Sequence, residues 1–132
     1  TTGSNVNMKN LISNEGVVAS DVTGVGTARN TMGGVGYGSD KGIFAYGTTG
    51  SALSVSNLVS NAGVVATDTS GVGTARWNVL ACDYGGDKGI CGFGSTGSVV
   101  SMTNLVSNVG VVATDVTGVG TARYAPSACS YN

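Results

Sequence analysis

The sequence predicts an all-β protein built from tandem four-stranded repeats of 47 residues, with residues 1–132 forming a single repeat domain. Three observations lead there. The first is self-similarity. A shift of 47 superimposes Asn10 on Asn57 and Asn104, Asp21 on Asp68 and Asp115, and Arg29 on Arg76 and Arg123, with no insertion or deletion. Units 1–47 and 48–94 agree at 26 of 47 positions, and the incomplete unit 95–132 agrees with the second at 24 of 38. Such a period is the signature of an array in which each unit buries its face against the next. The second observation is composition. Val, Thr, Ser and Gly dominate while helix formers are scarce, which favours short strands and tight turns. The third is regular turn chemistry, with Ser-Asn-x-Gly and Asp-Lys-Gly segments recurring at matched places.

The second unit gives the elements in order. Residues 52–59 alternate imperfectly and read as a strand. Ser60-Asn61-Ala62-Gly63 is a short loop whose Asn and Gly tolerate the positive φ of a hairpin. Residues 64–68 form the returning strand. Gly71-Val72-Gly73 breaks it, 76–84 is a third strand, Gly86-Asp87-Lys88-Gly89 is a turn ending in a glycine bulge, and 90–93 is the fourth. Four strands per unit give about eleven in all. The third copy stops nine residues short of the others, before the counterpart of the fourth strand. That leaves an open edge beside 124–132, and open edges invite pairing. Thr1 falls inside the repeat pattern, which leaves room for upstream sequence, a removed leader included.

Two architectures suit such a unit. One is a propeller blade; the other is a three-fold closed β-trefoil or β-prism. The order Thr74-Ala75-Arg76, Val79-Leu80-Ala81-Cys82, a turn at Asp87-Lys88 and Ile90-Cys91-Gly92-Phe93-Gly94, followed by the Asn57-type hairpin, resembles a degenerate kelch repeat. The Gly-Val-Val-Ala-Thr-Asp and Gly-Val-Gly-Thr-Ala-Arg segments are similar to Gly/Thr/Val-rich arrays of phage tail-fibre-like and environmental proteins. The paired glycines and spaced aromatics of kelch blades are missing or displaced. The resemblance implies propeller blades, an extracellular or virion-associated location, and recognition of a cell-surface glycan or protein.

Charge narrows the function further. Only 10% of residues are charged and the net charge is −1, so no basic patch argues for nucleic acid or an anionic membrane. No apolar run is long enough to span a bilayer. Histidine is absent, which removes the commonest general base and metal ligand. Ten of thirteen charged residues sit in repeated positions, whereas a catalytic site is unique. Asp21, Asp68 and Asp115 are therefore expected to cap turns or pair with Arg29, Arg76 and Arg123. No catalytic residue, metal site or cofactor is expected: each unit offers one aspartate where a Ca²⁺ loop needs several carboxylates. Gly92-Phe93-Gly94-Ser95-Thr96-Gly97 matches a dinucleotide fingerprint only formally, because a strand pattern follows it where a helix is needed.

Residues outside the repeat rule are the candidates for function. The position after the repeated arginine is Asn30, Trp77 or Tyr124, and exposed aromatics there would stack on sugars or anchor a partner; the alternative is packing between units. Asp83 stands where the other copies carry Gly36 and Ser130. Cys82 and Cys91 flank one turn and are candidates for a cross-hairpin disulfide, the alternative being two buried hydrophobes. Two functions follow: a non-enzymatic recognition module of a phage tail fibre or adhesin, or a structural subunit of an extracellular filament, assembling as a homo-oligomer or within a larger chain or virion by strand addition at the open edge.

Overall fold

A computed structural model describes residues 3–71 and 73–131. Val72, in the middle of the expected Gly-Val-Gly break, and the end residues Thr1, Thr2 and Asn132 lie outside it. The described residues are all-β, with no helix, and so none long and apolar enough to cross a membrane.

Six strands form two antiparallel sheets. β1 (Gly33–Tyr37), β2 (Lys41–Ala45) and β3 (Ser56–Val59) make the first in the order β1-β2-β3; β4 (Leu80–Tyr84), β5 (Lys88–Gly92) and β6 (Thr103–Val106) make the second in the order β4-β5-β6. Each sheet therefore begins late in one 47-residue unit and ends in the next. The strand count among the described residues is below the roughly eleven that four strands per unit would give, and the reasons are local. Asn78 has a φ of +53° and Phe93 one of +58°, left-handed conformations that no strand can run through. They cut the expected 76–84 strand to β4 and end β5 at Gly92. Thr31 (+56°) and Tyr46 (+66°) do the same one repeat earlier.

The returning strand 64–68 is present only as isolated bridges, Ser56↔Thr69 and Val59↔Val65. Two residues lie between the bridged positions on β3 but three on the returning segment, which is a bulge. Asn57 fills it: its amide donates to the Ala66 carbonyl at 3.1 Å and to Asp68 Oδ1 at 2.8 Å, in place of ladder bonds. The same pair of bridges, with the same spacing, recurs at 9–22 and at 103–116. Each sheet is thus a four-segment antiparallel meander with an interrupted outer segment.

The sheets stack face to face, β1 packing on β4 and β5. Tyr37, Ile43, Ala45, Tyr46, Val79, Cys91 and Val106 form the buried core between and beside them. Close approach requires glycine: a Cβ on Gly110, whose φ is +80°, would come within 2.8 Å of Leu58 and 2.9 Å of Tyr37 in the preceding sheet. Residues 127–131 correspond to β1 in the repeat but form no ladder among the described residues. The expected open strand edge is therefore a segment without strand structure.

Candidate functional site

Arg29, Arg76, Asp68 and Asp115, four of the repeated charges, are consumed in a network that joins successive units. Arg29 is 5% exposed and Arg76 fully buried, and a buried guanidinium must satisfy its donors. Arg76 donates from Nη2 to Asn104 Oδ1 at 2.6 Å, from Nε to the Phe93 carbonyl at 3.1 Å and from Nη1 to the Thr74 carbonyl at 3.2 Å. Its plane lies 4.1 Å from the Tyr46 ring centroid of the preceding sheet, a stacking that arginine supports well. Arg29 repeats the pattern with Asn57 at 2.7 Å and the Tyr46 carbonyl at 2.8 Å. Burial lowers the pKa of Arg29, opposed by the charge of Asp68, and pushes the Tyr46 phenol up to about 12.

The aspartates take both expected roles. Asp68 caps Thr27, accepting from its backbone N–H at 3.0 Å and its hydroxyl at 2.6 Å, and lies 3.8 Å from Arg29. Asp115 does the same for Thr74 and Arg76, at 3.0, 2.7 and 3.8 Å. Hydrogen bonds from Thr27 and then Asn57 hold the Asp68 carboxyl below its ordinary range. For Asp115, burial pulls upward, but the bonds from Thr74 and Asn104 outweigh it and the pKa is again lowered. Asn and Thr were visible as repeated columns in the sequence; what hid their role is that partners sit 28 and 41 residues apart.

The non-repeating candidates fall into two places. Asn30 and Trp77 share one: backbone bridges Asn30↔Thr48 and Trp77↔Ser95 hold both in the same setting beside the tight 48–52 and 95–99 loops. Asn30 is exposed, Trp77 half-buried, and Tyr124, next in the column, is 58% exposed. The backbone is fixed at the first two positions while the side chain changes. Asp83 lies elsewhere, in a cleft of about 420 Å³ on the last sheet, with Cys82, Tyr84, Leu105, Cys129 and Tyr131. The structure does not bring Asp83 to the aromatic column.

The cysteines correct one expectation. Register pairs Cys82 with Ile90 and Cys91 with Ala81, so the two cysteines are one step apart and point to opposite faces of the hairpin. Both are free thiols, as is Cys129. Alternation across the pleat defeats the bond that flanking the same turn suggested. Burial pushes the Cys91 thiol up to about 11; burial, then Asp83 and Cys129, raises that of Cys82. Among the described residues no three His, Cys, Asp or Glu side chains are grouped to hold a metal ion. No protein-family model and no curated protein matches this chain.

Proposed function

We propose that the chain is a non-enzymatic recognition module of an extracellular or virion-associated fibre or adhesin, binding a cell-surface glycan or protein along its Asn30–Trp77–Tyr124 row. The observation carrying this reading is the division of labour between repeated and unrepeated residues. At the two internal junctions the repeated Arg, Asn, Asp and Thr side chains are used up in joining units. The row beside them keeps its backbone pairing at Asn30 and Trp77 and varies only in the side chain. A rigid platform carrying dissimilar polar and aromatic groups is what specific recognition needs. The repeats are propeller-type blades in this reading, supported by the four-segment meander order and by face-to-face stacking; closure as a trefoil or prism has no such support. Filament growth by strand addition at 124–131 is less favoured, because that segment has no ladder to extend.

A glycan array tests the proposal. Wild-type chain should bind a limited set of glycans, and Trp77→Ala should weaken that binding tenfold or more, the order expected for a central aromatic anchor, with an unchanged far-ultraviolet spectrum. Binding that is insensitive to Trp77→Ala, or loss of fold in the variant, refutes the row as the binding surface.

A further inference from the structure

We infer that the groove between Leu58 and the 109–112 turn is a binding site for a primary ammonium on an aliphatic stem, the group that a lysine side chain presents. The groove lies at the second internal junction, between the sheets β1-β2-β3 and β4-β5-β6. The first junction, between the bulge of the first unit and the sheet β1-β2-β3, is built alike and already holds such a group. There Lys9 is bridged to Val22 across the bulge. Its Nζ crosses to the next unit and donates to the Gly63 carbonyl at 2.8 Å. Leu11 packs beside it, where a Cβ on Gly63 would run into it. Among the described residues no carboxylate pairs with this ammonium. A carbonyl beside an apolar wall is the whole receptor for it.

The second junction keeps the frame and loses the lysine. One repeat after Lys9 the residue is Ser56, bridged to Thr69 as Lys9 is to Val22. Leu58 takes the place of Leu11 and Gly110 that of Gly63, and a Cβ on Gly110 would come within 2.8 Å of Leu58. The Ser56 side chain is too short to cross as Lys9 does. Among the described residues no donor reaches the Gly110 carbonyl. What stands in place of the lysine is a groove of about 210 Å³, lined by Ser56, Leu58, Thr69, Ser70 and residues 109–112.

The chemistry of the groove matches the missing group. Leu58, Val109, Val111 and Val112 give a methylene stem an apolar wall, along which lysine stems bury while the charged head seeks acceptors. The acceptors are the Gly110 carbonyl and the hydroxyls of Ser56, Thr69 and Ser70, and an ammonium brings three donors to them. Hydrogen bonds from a charged donor are roughly twice as strong as neutral ones. No cation lines the groove to repel the ligand. Val109 and Val111 are 69% and 61% exposed, so the groove opens to solvent. Both of its walls belong to units within the chain, and none of its lining residues belongs to the Asn30–Trp77–Tyr124 row.

A nuclear magnetic resonance titration of the whole, isotopically labelled chain tests it. The probe is Nα-acetyl-lysinamide, and Nα-acetyl-norleucinamide is its match, with the same stem and no ammonium. The lysine probe should shift the amides of Ser56, Gly110 and Val111 saturably, with a midpoint of about 1–10 mM, the weak range expected of so small a ligand. The norleucine probe should bind about tenfold more weakly or worse. Ser56→Lys should fill the groove with its own ammonium and lose the shifts. Lys9→Ser should empty the first junction and add a second set of shifts at Leu11 and Gly63, which keeps the test alive if Ser56→Lys does not fold. Diaminobutane separates the sources: tighter binding than the lysine probe assigns the groove to free diamines, weaker binding to lysine side chains of a protein. Shifts that are absent or never saturate, equal binding of the norleucine probe, or a folded Lys9→Ser chain with no new site would each overturn the inference.

Discussion

Asn104→Ala and Asn10→Ala make the same chemical change in the same repeat column, and the structure assigns them different costs. Each asparagine donates to a carbonyl and an aspartate across its bulge: Ala113 and Asp115 at 2.9 Å for Asn104, Ala19 and Asp21 at 2.9 and 2.8 Å for Asn10. Only Asn104 also accepts from a buried arginine, at 2.6 Å. A bond to a charged group contributes about 1.5–3 kcal/mol, and a neutral one about 1 kcal/mol when burial prevents water from replacing it. Asn104→Ala therefore costs about 4 kcal/mol, including the stranded Arg76 donor. Asn10→Ala costs about 1 kcal/mol, because solvent reaches the site. With a urea slope of about 2 kcal/mol/M, the midpoint falls by about 2 M in the first case and about 0.5 M in the second. Urea titration followed by the fluorescence of Trp77, next to Arg76 in the chain, and by circular dichroism reads both. Equal losses for the two variants would refute the claim that the Arg–Asn bond, and not the bulge alone, carries the stability.

Arg76→Lys should cost about 3 kcal/mol or more, since an ammonium cannot reproduce the forked bonds to Phe93, Thr74 and Asn104 or the stack on Tyr46; a midpoint equal to wild type would contradict this. Gly110→Ala should destabilise by about 1–3 kcal/mol more than Gly16→Ala. Both sites have positive φ, but only Gly110 has Leu58 and Tyr37 in the way, and thermal unfolding compares them. Stability should be full above about pH 4 and fall as pH drops further. Asp68 and Asp115 have folded pKa values below their unfolded ones, so the folded state resists protonation and loses that advantage as the carboxylates are titrated; Asp68→Asn should flatten the acid limb of a stability–pH curve. Three thiols should titrate under denaturing conditions, with Cys129 fastest and Cys91 slowest in the native state, following exposure and the raised pKa of Cys91; two fewer would restore the Cys82–Cys91 bond.

Much of this was legible from residues alone, and the failures have physical causes. The Asp and Arg columns suggest a scaffold role because a charge needed in every unit is structural, and in the structure Asp68 and Asp115 lie 3.8 Å from Arg29 and Arg76. Strand lengths differ from the sequence expectation: Asn78 and Phe93 fall inside the expected strands, and their positive φ ends the ladders. The Asn57 bulge carries no local sign, since its effect depends on a carbonyl nine residues away. The cysteine pairing failed because a one-residue step in register reverses the face of a side chain.

By itself the sequence determined the all-β class, the 47-residue repeat and the hairpin turns, because period and turn chemistry are local properties. Only the tertiary structure decided that each sheet straddles two units and that Arg, Asn, Asp and Thr meet across 28 to 41 residues. It alone distinguished Asn10 from Asn104, identical residues in one column. Sequence repeats describe what each unit brings, while burial and pairing depend on whether a neighbouring unit stands beside it.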